Sequence, residues 1–240
     1  MDWNNDGRHD LLVGDTRGNI QVYLNTNGNS NPVLSAGHFI QAGGENLDAG
    51  ARAAPVAEDW NGDGKKDLIV GGMDGTIKIY LNKGADASPV FAPPFLLQAN
   101  GRDFKIDSRS APRITDWNKD GLKDVLVGET HGYIYYLKNV GTNKAPVFKG
   151  YEKLFLRNGD VLRYPDPNGD PRSRLFVTDW NNDGLDDMLV GGKDGKVMLH
   201  LSAPEQSYSP SVIVKMTWLQ VKDKILEFKD KAKEKIRGLF

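Results

Sequence analysis

The sequence predicts an all-β fold, a β-propeller of about four blades or the matching arc of a larger propeller, followed by an amphipathic C-terminal α-helix. Three observations predict it. An aspartate-rich segment recurs four times without a gap. Each copy runs through a Gly turn into a strand whose side chains alternate between two faces, and each unit offers about four short strands bounded by turn residues, the content of one blade.

The repeats come first along the chain. DWNNDGRHDLLVG begins at Asp2, DWNGDGKKDLIVG at Asp59, DWNKDGLKDVLVG at Asp116 and DWNNDGLDDMLVG at Asp179. The aliphatic run that closes each segment reads as a buried strand, and GNIQVYLN, GTIKIYLN, GYIYYLKN and GKVMLHLS follow as alternating strands. An Asn-x-Gly turn and a Pro-Val step at Pro32, Pro89 and Pro146 lead to the strand-like HFIQ, FLLQ and LFLR; the fourth copy keeps a degraded form with Pro210 and TWLQ around Trp218. One more short strand, PVAE, PRIT or LFVT, runs directly into the second, third and fourth Asp-Trp, and the first copy has no such strand ahead of it. The repeats occupy residues 1–221, and the segment 222–240 is expected to be the helix, with Ile225, Phe228, Ala232, Ile236 and Leu239 along one face.

The recurring loop places oxygen-bearing side chains at its first, third, fifth and ninth positions, an arrangement suited to calcium, which takes about 6–8 hard oxygen ligands at roughly 2.3–2.6 Å. The predicted side-chain ligands are Asp2, Asn4, Asp6 and Asp10; Asp59, Asn61, Asp63 and Asp67; Asp116, Asn118, Asp120 and Asp124; and Asp179, Asn181, Asp183 and Asp187. The backbone carbonyls of Arg8, Lys65, Leu122 and Leu185 stand at the seventh position, and Gly7, Gly64, Gly121 and Gly184 make the sharp turn at the sixth. Up to four calcium ions are expected. An EF-hand is excluded, because the twelfth position is Val13, Val70, Val127 or Val190 inside a strand, where that motif needs a bidentate Glu leading into a helix. An Asx-rich turn without metal is the competing reading; four gapless copies, each crowding three carboxylates that repel unless a cation neutralises them, favour the metal. Trp3, Trp60, Trp117 and Trp180, fixed at the second position, read as packing between blades rather than as ligand contacts.

These loops, DWNGDGKKDLIVGG above all, resemble the FG-GAP and VCBS repeats, which include the propeller of integrin α subunits and many secreted bacterial proteins. The resemblance extends over roughly residues 2–221 and implies a propeller whose loops bind calcium between adjacent strands of a blade. Where integrin-type repeats have Gly-Ala-Pro after the loop strand, this chain has Gly-Asp-Thr, Gly-Gly-Met, Gly-Glu-Thr and Gly-Gly-Lys. The bacterial VCBS-like branch therefore fits better, and integrin-type ligand recognition is not implied.

Other classes are excluded or set lower. His9, His38, His131 and His200 fall at unrelated repeat positions and no nucleophile elbow appears, so no catalytic residue and no enzyme activity is predicted. A formal charge of -1 with scattered basic residues gives nucleic acid no footprint. Zero cysteines rule out disulfides and thiolate metal sites. No run is apolar enough to cross a bilayer as a helix, and no signal sequence lies within this chain. The insertion RNGDVLRYPDPNGDPRSR, holding Asp160, Asp166 and Asp170, reads as a solvent loop and is the expected place for any specialised recognition. Four bound calcium ions would turn -1 into +7, which points to an anionic partner such as an acidic glycan. The expected function is an extracellular calcium-binding propeller of prokaryotic type, secreted or at the cell surface, that binds a protein or glycan in adhesion. A structural subunit that self-assembles through the first blade and the C-terminal helix is the alternative, and an accessory domain of a polysaccharide-active enzyme the third reading. For the helix, packing on the propeller is favoured over oligomerisation, and both over membrane-surface contact.

Overall fold

A computed structural model of the chain describes residues 1–156, 158–165, 171–202 and, as backbone alone, 213–215. Every regular element among these residues is a strand. Unit 1 is a three-stranded sheet of β1 (Leu11–Gly14), β2 (Ile20–Tyr23) and β3 (His38–Phe39), with a hairpin of β4 (Gln41–Ala42) and β5 (Glu45–Asn46) beside it. Unit 2 adds the inner strand that unit 1 lacks. Its sheet runs β6 (Ala54–Glu58), β7 (Asp67–Gly71), β8 (Ile77–Tyr80), β9 (Phe95–Leu96), and its hairpin is β10 (Gln98–Ala99) with β11 (Arg102–Asp103). Unit 3 repeats the four-stranded order with β12 (Ala111–Thr115), β13 (Asp124–Gly128), β14 (Ile134–Leu137) and β15 (Glu152–Lys153), followed by β16 (Phe155–Leu156). Unit 4 contributes β17 (Arg174–Thr178), β18 (Asp187–Gly191), β19 (Val197–Ser202) and β20 (Ile213–Lys215); β16 of unit 3 joins this sheet in parallel, Phe155 opposite Ile213.

The register repeats with the sequence. Glu58 faces Asp67, Thr115 faces Asp124 and Thr178 faces Asp187 across the inner hairpin, so loops 2, 3 and 4 cap the turn between the first two strands of their sheets, and loop 1 leads directly into β1. The segments FLLQ and HFIQ, expected as single strands, are split. Phe95–Leu96 pairs with β8, whereas Gln98–Ala99 leaves the sheet and pairs with Arg102–Asp103; HFIQ divides in the same way between β3 and β4. Between the halves Ile40 and Leu97, 5% and 2% exposed, drop into the core, and burying each is worth roughly 1.5–3 kcal/mol, more than a continued edge ladder would return. The expected C-terminal helix, Pro210 and the TWLQ segment around Trp218 lie outside the described residues.

Packing runs from sheet to sheet along the chain. One core joins Trp3, Ile20, Val22 and Leu47 of unit 1 to Leu68, Val70 and Tyr80 of unit 2. A second joins Trp60, Ile69, Ile77 and Ile79 of unit 2 to Val125, Val127 and Leu137 of unit 3, and a third joins Trp117, Leu126, Ile134 and Tyr136 to Met188 and Val190 of unit 4. Both faces of β7 and β13 are therefore covered, which is why these strands are apolar at successive positions instead of alternating. Gly71 shows how close the sheets come: a Cβ there would stand 2.2 Å from the Ser110 carbonyl oxygen of the next unit. Extensive strand contacts link unit 1 to 2, 2 to 3 and 3 to 4. The described architecture is thus an all-β array of four stacked sheets.

Candidate metal-binding loops

All four loops share one backbone. The fourth position has φ of 61° at Asn5, 68° at Gly62, 58° at Lys119 and 58° at Asn182. At the sixth, Gly7, Gly64, Gly121 and Gly184 lie at 84°, 86°, 85° and 85°, in the left-handed region where a side chain is strained, as the loop motif requires.

Their side chains follow one wiring scheme. In loop 2, Asp59 Oδ1 accepts the Asp63 amide at 3.1 Å and Oδ2 accepts the Gly64 amide at 2.9 Å. Asn61 Oδ1 also accepts the Asp63 amide, at 3.0 Å, while Asn61 Nδ2 donates to Asp63 Oδ2 at 3.1 Å, and Asp63 Oδ1 accepts the Lys65 amide at 3.0 Å. The same bonds recur in loop 1 through Asp2, Asn4, Asp6 and Arg8, in loop 3 through Asp116, Asn118, Asp120 and Leu122, and in loop 4 through Asp179, Asn181, Asp183 and Leu185. The loop is folded around its own acceptors. Among the described residues no group of three or more His, Cys, Asp or Glu side chains is gathered as a ready ligand set. The oxygen chemistry of the first, third and fifth positions nevertheless fits calcium, because these groups are hard, at least partly exposed and held within one short turn.

The ninth position behaves differently. Asp67 is fully buried; its Oδ2 accepts the Trp60 amide at 3.0 Å and its Oδ1 the Asn82 amide at 2.7 Å. Asp10, Asp124 and Asp187 make the equivalent pair of bonds, to Trp3 and Asn25, Trp117 and Asn139, and Trp180 and Ser202. Each is a clasp tying the loop to the end of the third strand. Burial raises the carboxyl pKa of Asp67, Asp124 and Asp187; the two accepted amides oppose that shift in Asp67 and Asp187, the Asn139 amide and the Tyr136 hydroxyl oppose it in Asp124, and Asp63, Asp120 and Asp183 of the respective loops add to it.

The fifth position differs between copies. Arg8 Nη2 donates to Asp6 Oδ2 at 2.5 Å and Lys138 Nζ stands 3.2 Å from Asp120 Oδ2, so loops 1 and 3 carry a cationic side chain on this carboxylate. Asp6 is held below the usual carboxylate range although local desolvation, the largest influence, raises it; the Arg8 amide, Asn4 and the Arg8 charge outweigh that. Asp63 and Asp183 have no such ion pair among the described residues.

Adjacent loops are linked edge to edge, which puts all four along one end of the array. Asn5 and Lys66 meet through their side chains, and both bond Asp86 Oδ2, at 2.8 Å each. Lys123 reaches back to the Asp59 carbonyl and to Glu58 at 3.2 Å; Lys119 pairs with Asp186 at 3.1 Å. Three of the four tryptophans pack between units as expected: Trp3 lies 6.4 Å from Phe91 and Trp60 6.1 Å from Phe148, ring centre to ring centre, and Trp3, Trp60 and Trp117 are buried, whereas Trp180, expected to pack in the same way, is 41% exposed.

Two sets of supporting residues escaped the sequence reading. Asn25, Asn82 and Asn139, all fully buried, each accept two amides of the following turn with Oδ1. Asn29, Asp86 and Asn143 accept the amide at the eighth loop position, that of His9, Lys66 and Lys123, at 2.6, 2.7 and 2.7 Å. Their recurrence at one offset was the signal, hidden by the freedom of Asn and Asp to swap there. Of the insertion, Leu162 and Tyr164 enter the third core, Arg163 donates to the His131 carbonyl at 2.7 Å, and Arg157, Asp166 and Asp170 lie outside the described residues.

The FG-GAP-like repeat family matches residues 59–127, from the first residue of loop 2 into β13, so the resemblance read from the loops holds over this stretch. Among solved structures, the crystal structure of BBS1N in complex with ARL6DN, soaked with lead, is similar with a TM-score of 0.40 and 14% identity over 90% of this chain and 54% of that one. The chain spans about half the length of that protein, and likeness this distant carries no argument.

Proposed function

We propose that the chain is a calcium-stabilised, propeller-type binding module that acts outside the cell in adhesion to a protein or glycan and performs no catalysis. The observation that carries this reading is the identical wiring of four Asp/Asn loops along one end of the array, each offering one exposed and one half-buried carboxylate and an amide in a turn of calcium-loop geometry. Calcium would supply the charge neutralisation these carboxylates lack. Asp2, Asn4 and Asp6 with their counterparts would hold it, and the buried ninth-position aspartates would support the loop from behind. FG-GAP-like repeats are consistent with a ligand-binding module, and extracellular calcium modules have affinities on the order of 0.1–1 mM, which suits external calcium. Thermal unfolding with and without millimolar calcium tests it. At ten times its dissociation constant each occupied loop adds about 1.4 kcal/mol, and the gain should shrink in Asp63→Ala/Asp120→Ala. An unchanged melting temperature, with no metal by elemental analysis, would remove calcium and the extracellular setting from the reading.

A second reading, a structural subunit that stacks head to tail with another copy, is favoured by the two end faces. Leu68 and Val70 are 0% and 1% exposed against unit 1, whereas Leu11 and Val13, at the same positions of unit 1, are 45% and 36% exposed. At the other end Val197 is 64% exposed where Ile20, Ile77 and Ile134 are 0%. A Cβ on Gly191 meets nothing nearer than 3.8 Å, against 2.2–2.4 Å on Gly14, Gly71 and Gly128. Each end thus presents half of the interface that the repeats bury three times. Light scattering decides: a concentration-dependent mass that Val197→Lys reduces to the monomer supports stacking, and a constant monomer mass refutes it.

A further inference from the structure

Five arginines meet where the inner strands of units 2, 3 and 4 begin. Arg52, Arg109 and Arg172 occupy one repeated position just ahead of β6, β12 and β17, with φ of 61°, 57° and 55°. Each donates its amide to the preceding unit: to the Thr16 carbonyl at 3.2 Å, Met73 at 3.3 Å and Thr130 at 2.9 Å. The other two come from the strands themselves, Arg174 as the first residue of β17 and Arg113 from the middle of β12. Because β12 packs on both β6 and β17, the set converges, and Arg174 Nη1 crosses between units to the Arg109 carbonyl at 3.3 Å.

Among the described residues Arg52, Arg113 and Arg174 pair with no carboxylate; the Arg113 and Arg174 guanidiniums donate only to the backbone carbonyls of Pro112, Arg109 and Ser173. Arg174 keeps solvent access, yet enclosure and then repulsion from Arg172, Arg109, Arg113 and Arg52 push its pKa below the usual arginine value, and enclosure does the same to Arg113. Packing does not call for these residues. At the place of Arg113, opposite the middle strand, unit 2 has Val56 and unit 4 has Phe176; at the place of Arg174 unit 2 has Ala54 and unit 3 has Ala111. The repeat therefore shows that the same strand forms without either cation.

A cluster of like charges that includes two cations the fold can do without is explained by a ligand of opposite charge. Guanidiniums are suited to it, since their planar fork matches sulfate, phosphate and carboxylate oxygens in bidentate fashion. Phe176, 59% exposed and on the same face of β17 as Arg174, adds an apolar surface beside the cluster, as a sugar ring would use. The inner strands carry the candidate calcium loops at their other end, roughly 17 Å away for five residues of strand, so the two sites are separate.

We propose that Arg52, Arg113 and Arg174, flanked by Arg109 and Arg172, form a binding site for an acidic oligosaccharide bearing two or more sulfate groups. The site does not depend on calcium occupancy of the loops. Calorimetric titration of the full chain with a heparin-derived tetrasaccharide, and separately with inorganic sulfate, tests it. The tetrasaccharide should bind more tightly than inorganic sulfate, and more weakly as salt is raised. Arg113→Val/Arg174→Ala, which copies the residues of the neighbouring units, should weaken binding about tenfold or more while melting no lower than the parent protein, because repulsion is relieved. Arg102→Ala, on the exposed hairpin of unit 2, should leave binding unchanged. Absence of tetrasaccharide binding, equal binding by the double variant, or inorganic sulfate binding as tightly as the tetrasaccharide would overturn the proposal; a double variant that melts lower would overturn the argument from repulsion, and Arg52→Ala then reads the charge alone.

Discussion

Replacing Asp67 by Asn separates the structural part of a loop from the part that would meet a metal. Asp67 is fully buried and spends both oxygens on amides, Trp60 at 3.0 Å and Asn82 at 2.7 Å. Asn keeps one acceptor and turns an NH2 toward the other amide, leaving a buried donor without a partner. A hydrogen bond to a charged group is worth about 1.5–3 kcal/mol, and removing the buried charge returns part of it, so the net loss is about 2 kcal/mol. For a chain of this size that lowers the melting temperature by about 4–8 °C. Asp63→Asn is the control. Asp63 bonds the Lys65 amide through Oδ1, which Asn retains, and its other contact is the exposed Asn61 amide, so the change should fall within about 0.5 kcal/mol. Circular dichroism melts of both variants, run in chelator and in millimolar calcium, give four numbers. In chelator Asp67→Asn alone should melt early; in calcium Asp63→Asn should lose the increment that its loop supplies. If Asp67→Asn melts with the parent protein in chelator, or Asp63→Asn falls as far as Asp67→Asn there, the division into clasp and ligand is wrong.

Two further outcomes follow from the packing. His200 is 1% exposed with no partner for Nδ1, and burial pushes its pKa from 6.5 down to about 4. The unfolded chain takes up a proton below pH 6.5 that the folded chain refuses down to about 4, so stability present above 6.5 falls by about 1.4 kcal/mol per pH unit through that window; His200→Leu, the residue unit 3 has there as Leu137, should flatten the fall in urea unfolding between pH 6.5 and 5, and an unchanged slope would count against it. Gly71→Ala sets a Cβ 2.2 Å from a backbone oxygen of the next unit and should destabilise by about 3 kcal/mol, whereas Gly191→Ala, with 3.8 Å of room, should cost under about 1 kcal/mol; equal chelator melts for the two would refute the sheet-to-sheet approach.

Much of the fold was legible because the repeat let each position be read several times. Loop boundaries, the inner strands and the tryptophan between units emerged from the pattern Asp-Trp-Asn followed by a buried aliphatic run, since apolar residues at successive strand positions imply cover on both faces. What stayed hidden depended on where backbone amides find acceptors. Nothing in the letters separates Asp67, buried behind the loop, from Asp63 on its surface, because both are aspartates in one motif and only the three-dimensional path sends the Trp60 and Asn82 amides to the former. The splitting of HFIQ and FLLQ was equally silent: an alternating strand and a strand whose central residue leaves the sheet share one polarity pattern, and the core that draws in Ile40 and Leu97 belongs to the tertiary fold.

The repeat also supplies its own controls, and these carry the functional argument further than any single loop. Positions that packing dictates are the same in every unit: the ninth-position aspartate makes its two bonds in all four, although its pocket is closed by Asn in three copies and Ser in one. Positions that vary without disturbing the backbone are free to serve something other than folding. The fifth-position carboxylate holds one geometry in every loop, yet it carries Arg8 in the first and Lys138 in the third and, among the described residues, stands without an ion pair in the second and fourth. A divalent cation must displace or share that carboxylate in loops 1 and 3 and meets it ready in loops 2 and 4. Four near-identical sequences should therefore divide into two affinity classes, set by Arg8 at a variable position of loop 1 and by Lys138 outside loop 3.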